Sequence, residues 1–294
     1  MAKKTFMSVK SDIVFHMFFA DKRNEESLIA FLRAILTLPD DDYEVIQLTD
    51  PHLTREFSED KLGIIDIRLK TKSGKIVQIE LQRKITPNFI NRAIFYEAKL
   101  IIAQIRSGDD YNVINKTISI LITDEMLVAG SPKYHHCFRY YDREACVELT
   151  DLIEIHTLEL PKLPESTDGT NLYNWARFIA ANSEEDMDMV AESSPQLRQA
   201  VVRYRELTAE EKIRDLYERR EKALHDHVSF MNWAKKQGLE QGLEQGLEQG
   251  LQQGEQKGLK TVARNLLSMN LSIDDIAAAT GLTYKEIESL RIIN

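Results

Sequence analysis

The sequence predicts a mixed α/β sheet core flanked by helices, followed by an all-helical C-terminal region. Three observations carry this. Helix, strands, helix and strand alternate through the first 163 residues, and two adjacent segments in that stretch alternate apolar and polar residues with period 2. From Gly169 to Lys236 the apolar spacing is wholly helical.

Residues 11–37 read as one or two helices, started by Ser11 or Asp12 and carrying Phe15, Phe18, Phe19, Leu28, Phe31, Leu32 and Ile35. A short strand is expected from Tyr43 to Leu48, then two longer ones, Lys61–Lys70 and Lys75–Lys84. In the first, Ile65, Ile67 and Leu69 share one face and Asp66, Arg68 and Lys70 the other. In the second, Val77, Ile79 and Leu81 take the buried side, with Gln78, Glu80 and Gln82 opposite. A three-residue loop, Lys72-Ser73-Gly74 with Gly74 in the left-handed region, joins them as a hairpin. That register pairs Thr71 with Lys75 and sets Asp66 opposite Glu80, their Cβ atoms roughly 5 Å apart. Like charges directly opposite are destabilising. A hard divalent cation, which prefers carboxylate oxygens, supplies a reason for the pair. Acids on polar strand faces are more often solvated surface, but Asp66 sits in a β-rich apolar run where acids are depleted.

Thr86 and Pro87 look like the N-cap and first residue of a helix that runs to about Arg106 and stops at Gly108. Phe89, Ile90, Ala93, Ile94, Ala98, Ile101, Ile102 and Ile105 form a broad apolar stripe expected to pack on the sheet. Asn115–Thr123 is a strong strand; Cys137–Tyr141 and Leu152–Leu160 are weaker ones. The first domain is therefore placed at 1–165, with a helical region over 166–236 in which Trp175 and Trp233 are core or helix-contact residues.

Residues 237–260 repeat Gln-Gly-Leu-Glu, with glycines at 238, 242, 246, 250, 254 and 258. Each glycine costs a helix interior about 1 kcal/mol relative to alanine, yet Leu239, Leu243, Leu247 and Leu251 recur every four residues. A flexible polar linker and a self-associating helix both fit, and the second implies a homo-oligomer. Residues 261–294 read as a small helix-turn-helix-like module, with caps at Ser272 and Thr283 and a break at Gly281. Asp274, Asp275, Glu286 and Glu288 outnumber Arg264, Lys285 and Arg291, which favours a packing module over a DNA reader.

With 43% hydrophobic and 29% charged residues among 294, the composition is that of an ordinary soluble protein. No apolar run approaches a membrane span and the N-terminus lacks a signal-peptide core, so a cytoplasmic protein with no membrane partner is expected. Cys137 and Cys146 have no metal-like spacing, and His135-His136 lacks a third ligand at a useful distance along the chain. A formal net charge of -9 denies the whole chain a nucleic-acid footprint. Any DNA contact must come from a local patch such as Lys61, Arg68, Lys70, Lys72, Lys75, Arg83, Lys84 and Arg92.

Asp66 followed by Glu80-x-Gln82 on the next strand, after an Asp12-Ile-Val-Phe-His-Met-Phe-Phe19 helix, resembles the Rpn family. These are recombination-promoting nucleases, also described as transposases of the PD-(D/E)XK superfamily. Arg92-Ala-Ile-Phe-Tyr96, Gly108-Asp-Asp-Tyr111 and the Gln-Gly tail strengthen the resemblance, which covers nearly the whole chain. It implies a PD-(D/E)XK, restriction-endonuclease-like sheet and metal-dependent hydrolysis of DNA phosphodiesters in recombination or DNA mobility. Asp66 and Glu80 would hold Mg²⁺ or Mn²⁺. The superfamily pattern places Lys where Gln82 stands; if the strand continues, Lys84 lies on the same face and restores the charge. Arg92 and Tyr96, one helical turn apart, could brace a phosphate, and Asp12 lies where the first helix of the superfamily often adds an acid. The absent lysine and the large helical tail also suit an alternative, a catalytically weakened DNA-associated or oligomerising regulatory protein.

Overall fold

The computed structural model describes residues 6–44, 46–48 and 67–291, and the chain divides into two compact units, Met1–Glu221 and Lys222–Asn294. In the first unit the strands are β1 (Gln47–Leu48), β2 (Ile67–Lys70), β3 (Ile76–Gln82), β4 (Thr117–Thr123), β5 (His135–Asp142) and β6 (Val147–Glu159). They form one mixed sheet in the order β1-β2-β3-β4-β6-β5. The β3–β4 and β4–β6 pairs are parallel and the other pairs antiparallel. Around the sheet lie α1 (Asp12–Phe19), α2 (Glu25–Ile35), α3 (Phe89–Ile102), α4 (Asn171–Ala180), α5 (Glu184–Ser193) and α6 (Pro195–Ala209).

The β2–β3 hairpin has the expected register, from Ile67 opposite Ile79 to Lys70 opposite Ile76. Thr71 N donates to Lys75 O at 2.9 Å, and Gly74 has φ +91°. The turn is pinned from outside by Asp42, which accepts from Thr71 Oγ1 (3.2 Å), Ser73 N (3.0 Å) and Lys75 Nζ (2.6 Å). Burial alone would raise the Asp42 pKa; the bonds from Lys75 and Ser73 outweigh it and hold the carboxyl at about 2.

One face of the sheet is apolar. Val77, Ile79, Ile118, Ile120, Ile122 and Leu158 enter a single core with residues from α1, α2, α4, α5 and α6. Phe15, Phe18, Phe19, Phe31, Trp175 and Phe178 make ring contacts through its centre, their centroids 4.8 to 6.2 Å apart. The opposite face is covered by α3, where Phe89 and Ala93 pack on Leu121.

Several expected boundaries are corrected. The helices after residue 165 do not form a separate region: Leu172, Trp175, Phe178, Leu197, Val201 and Tyr204 fill the same core, and Tyr204 Oη donates to Met7 O at 2.6 Å. Tyr43 closes a 3-10 turn (Asp40–Tyr43) rather than opening a strand. The helix α3 starts at Phe89 and ends at Ile102. Its buried row is Phe89, Ala93, Glu97 and Leu100, while Ile90, Ile94 and Ile102 of the expected stripe are exposed. A helix resting on a sheet buries one narrow row, so a stripe as wide as the sequence offers cannot all be covered. The strands β5 and β6 are longer than expected and form a hairpin whose pairing shifts register at Arg139/Tyr140 and again at Tyr140/Tyr141. Strand β5 is outermost on its side of the sheet.

The Gln-Gly-Leu-Glu repeat lies inside one continuous helix, α7 (Glu211–Ser268). Leu239, Leu243, Leu247 and Leu251 are 66% to 74% exposed, and a Cβ added at any of the six repeat glycines would meet nothing within 4 Å. Beyond it come α8 (Ile273–Thr280) and α9 (Tyr284–Arg291). Ala263, Ile276, Leu282, Ile287 and Leu290 form a small core of the second unit. The expected caps are present. Ser272 Oγ accepts from Asp275 N, and Gly281 ends α8 with φ +69°. Thr283 and Glu286 bond reciprocally through side chain and backbone as a capping box. Among the described residues no helix is long and apolar enough to cross a membrane.

Candidate active site

Glu80 lies on the central strand, on the face that α3 covers. Strand alternation puts Val77 and Ile79 into the apolar core, so Gln78, Glu80 and Gln82 must face α3. Glu80 is only 1% exposed. Isolated burial of a carboxylate is costly, and a cation answers it. From the first turns of α3, Arg92 Nη2 donates to Glu80 Oε1 and to Gln82 Oε1, both at 3.0 Å. Burial pushes the Glu80 pKa up, and the charge and hydrogen bond of Arg92 act against that shift. Gln82 is held at both ends, because its Nε2 donates to Lys84 O at 2.7 Å. Arg92 also lies over the Phe89 ring, 5.6 Å from its centroid.

A second buried acid shares this layer. Glu97 is 3% exposed and accepts a short hydrogen bond from Ser119 Oγ, while its Oε1 has no hydrogen-bond partner among the described residues. Burial raises its pKa to about 7. Sequence reading passed over Glu97, although an acid at the third position of the row Phe89, Ala93, Glu97, Leu100 is a visible signal.

The expected site residues divide as follows. Glu80, Gln82 and Arg92 form one hydrogen-bonded cluster. Asp66 lies outside the described residues. The strand does not continue to Lys84: β3 ends at Gln82, the chain bends, and Lys84 Nζ pairs with Glu125 Oε1 at 2.8 Å with its side chain 82% exposed. The condition under which Lys84 would share the face of Glu80 is therefore not met. Asp12, at the start of α1, accepts from Arg220 Nε at 2.7 Å and from Ile13 N at 2.9 Å, so its bonds run to α7 and its own helix. Tyr96 is half-buried and makes an edge contact with Phe95, centroids 5.7 Å apart.

The cluster offers oxygen donors only, a carboxylate and an amide carbonyl, and the described contact to Arg92 engages one oxygen of Glu80. That donor chemistry fits a hard divalent cation.

Comparison with known families agrees with the resemblance read from the residues. The family model described as PD-(D/E)XK nuclease family transposase matches residues 9–234, from the approach to α1 through the sheet and into α7. No curated protein and no solved structure gives a match.

Proposed function

The chain belongs to the PD-(D/E)XK nuclease family of transposases, and from that premise we propose that it is a Mg²⁺-dependent DNA endonuclease acting in recombination or DNA mobility. Nucleases of this class generally use divalent metal ions. The observation that carries the reading is Glu80, an acid held at 1% exposure on the central strand and tied to Gln82 through Arg92. Asp66 and Glu80 are proposed to hold the cation. The observed pairs from Ile67–Ile79 to Lys70–Ile76 follow the register in which the sequence sets position 66 opposite Glu80.

A divalent cation at such a site supplies a Lewis acid for a phosphate oxygen and a bound water of lowered pKa. The chain's own part is positional. Gln82, fixed by Arg92 and the Lys84 carbonyl, carries a neutral amide where the superfamily pattern has a lysine. Arg92 is proposed to supply from α3 the positive charge that Gln82 lacks, orienting Glu80 and offsetting charge that develops on phosphate. Two exposed free thiols, Cys137 and Cys146, suit a reducing cytoplasm.

The test is cleavage of supercoiled plasmid by the full chain with Mg²⁺ and with chelator. Cleavage that needs metal and disappears in both Asp66→Ala and Glu80→Ala is expected; cleavage that survives both substitutions overturns the assignment. One observation favours a second reading. Arg92 already pairs with Glu80, which suits a catalytically weakened DNA-associated or oligomerising regulatory protein. Under that reading no metal supports cleavage, while self-association through the exposed leucines of α7 persists.

A further inference from the structure

The β5–β6 hairpin carries a cluster far removed in character from the oxygen-only site around Glu80. Cys137 pairs directly with His156 across the two strands, and Arg139 with Glu154. Alternation puts all four side chains on one face of the hairpin. The ligand atoms of Cys137, Glu154 and His156 lie within 4.8 Å of one another. Glu154 and His156 are buried and Cys137 is exposed, so the group is anchored at its base and open to solvent at the thiol.

Hydrogen bonds from neighbouring side chains orient Glu154 and His156. Lys116 Nζ and Arg139 Nη2 both contact Glu154 Oε2, each at 2.9 Å. The other oxygen, Oε1, lies 2.6 Å from His156 Nε2. The second ring nitrogen, His156 Nδ1, is 2.9 Å from His135 Nε2. The rings of His135 and His156 stack, with centroids 5.2 Å apart and planes 10° from parallel. A metal-ligating histidine characteristically gives its other N–H to a neighbour that fixes the ring and its tautomer. His135 stands in that place for His156, and the two cations stand in the same relation to Glu154.

We propose that Cys137, Glu154 and His156 form a binding site for a zinc-class divalent cation, with His135 as the orienting partner of His156. Sulfur, imidazole nitrogen and carboxylate oxygen together are the donor types that Zn²⁺ takes, and three protein ligands leave a fourth position for water. The ion takes the place of the proton between Glu154 Oε1 and His156 Nε2, and binding releases that proton and the thiol proton of Cys137 to solvent. The site joins the two strands at the edge of the sheet, so occupancy stabilises the hairpin by mass action. It stands independently of the nuclease reading.

The experiment uses the full chain, stripped of metal by chelator and titrated with Zn²⁺ and with Co²⁺ in excess Mg²⁺. The readouts are bound metal per chain, the cobalt–thiolate charge-transfer absorption and the thermal unfolding midpoint. One equivalent per chain is expected, with a thiolate band and a raised midpoint. Cys137→Ser should remove the band and weaken Zn²⁺ binding about tenfold or more, and His135→Ala should weaken it by about 10- to 100-fold. Cys146→Ser and Glu80→Gln should leave both band and affinity unchanged, which separates this site from the nuclease reading. Far-ultraviolet circular dichroism checks that each variant is folded, and the conservative Cys137→Ser carries the test should His135→Ala fail to fold. No bound zinc in the parent chain overturns the proposal. So does a thiolate band that follows Cys146, or binding indifferent to Cys137→Ser.

Discussion

Arg92 Nη2 lies 3.0 Å from Glu80 Oε1, joining the helix that follows the hairpin to the central strand of the sheet. Arg92 is the cation bonded to a carboxylate that has almost no access to water. Removing one member of such a pair leaves the other as an uncompensated charge.

Arg92→Ala is therefore expected to destabilise the chain by about 3 kcal/mol, read from urea denaturation near neutral pH. Arg92→Lys should recover part of that loss, because a point charge replaces a fork that serves two acceptors. In plasmid cleavage both variants should fall well below the parent, with the lysine form the better of the two.

Glu97 gives stability a pH dependence whose sign is fixed by its environment. Its pKa is about 7 in the folded chain against 4.5 for an ordinary glutamate. The group therefore contributes fully below pH 4.5, and that contribution is lost as pH rises through 7. The loss is on the order of 3 kcal/mol. The urea midpoint of the parent relative to Glu97→Gln should decline from about pH 4 to pH 8; His135, whose pKa burial lowers to about 4, acts with the opposite sign but equally in both chains.

Gly74→Ala should cost about 1 kcal/mol or more. The residue has φ +91°, and a Cβ there would come within 3.1 Å of Asn115 Oδ1. Thermal unfolding of the variant provides the check. Gly108→Ala is a comparison in which φ is also positive, at +96°, but the space is open, so strain and crowding can be separated.

In α7 the repeat glycines sit in a helix with open space around them. Gly242→Ala with Gly250→Ala should raise the helix content and stabilise the segment by about 1 to 2 kcal/mol in total. If these glycines let a second copy approach closely, the same change should weaken self-association in sedimentation velocity. Leu243→Gln with Leu247→Gln should weaken it as well, since both leucines are exposed.

The parts of the fold that were legible in sequence are those governed by local chemistry. The loop length and Gly74 set the β2–β3 register, β-branched residues marked β4, and Ser272, Gly281 and Thr283 marked the ends of α8 and the start of α9. For the candidate site, strand alternation and the family resemblance pointed to Glu80 and Gln82, and the Arg92-Ala-Ile-Phe-Tyr96 segment to Arg92; these three side chains share hydrogen bonds. Tertiary effects were not legible. The bend after Gln82 that sends Lys84 to Glu125 leaves no mark on the alternating pattern. The apolar stripe of α3 did not reveal which row the sheet would cover. His135 and His156 are separated by a hairpin turn, so no local spacing rule could relate them; only the pairing of β5 with β6 does.

The two register shifts between β5 and β6 have a consequence at the sheet margin. An outermost strand usually offers a straight row of amides on which another molecule can add a strand. Here the ladder that holds β5 to β6 is interrupted twice, with the extra residues on β6, beside the exposed rings of Phe138, Tyr140 and Tyr141. Bulged pairing twists the backbone away from the flat geometry that fibre-like stacking requires. The exposed rings at this margin are therefore carried on a hairpin whose inner pairing is bulged, not on a regular two-stranded ribbon.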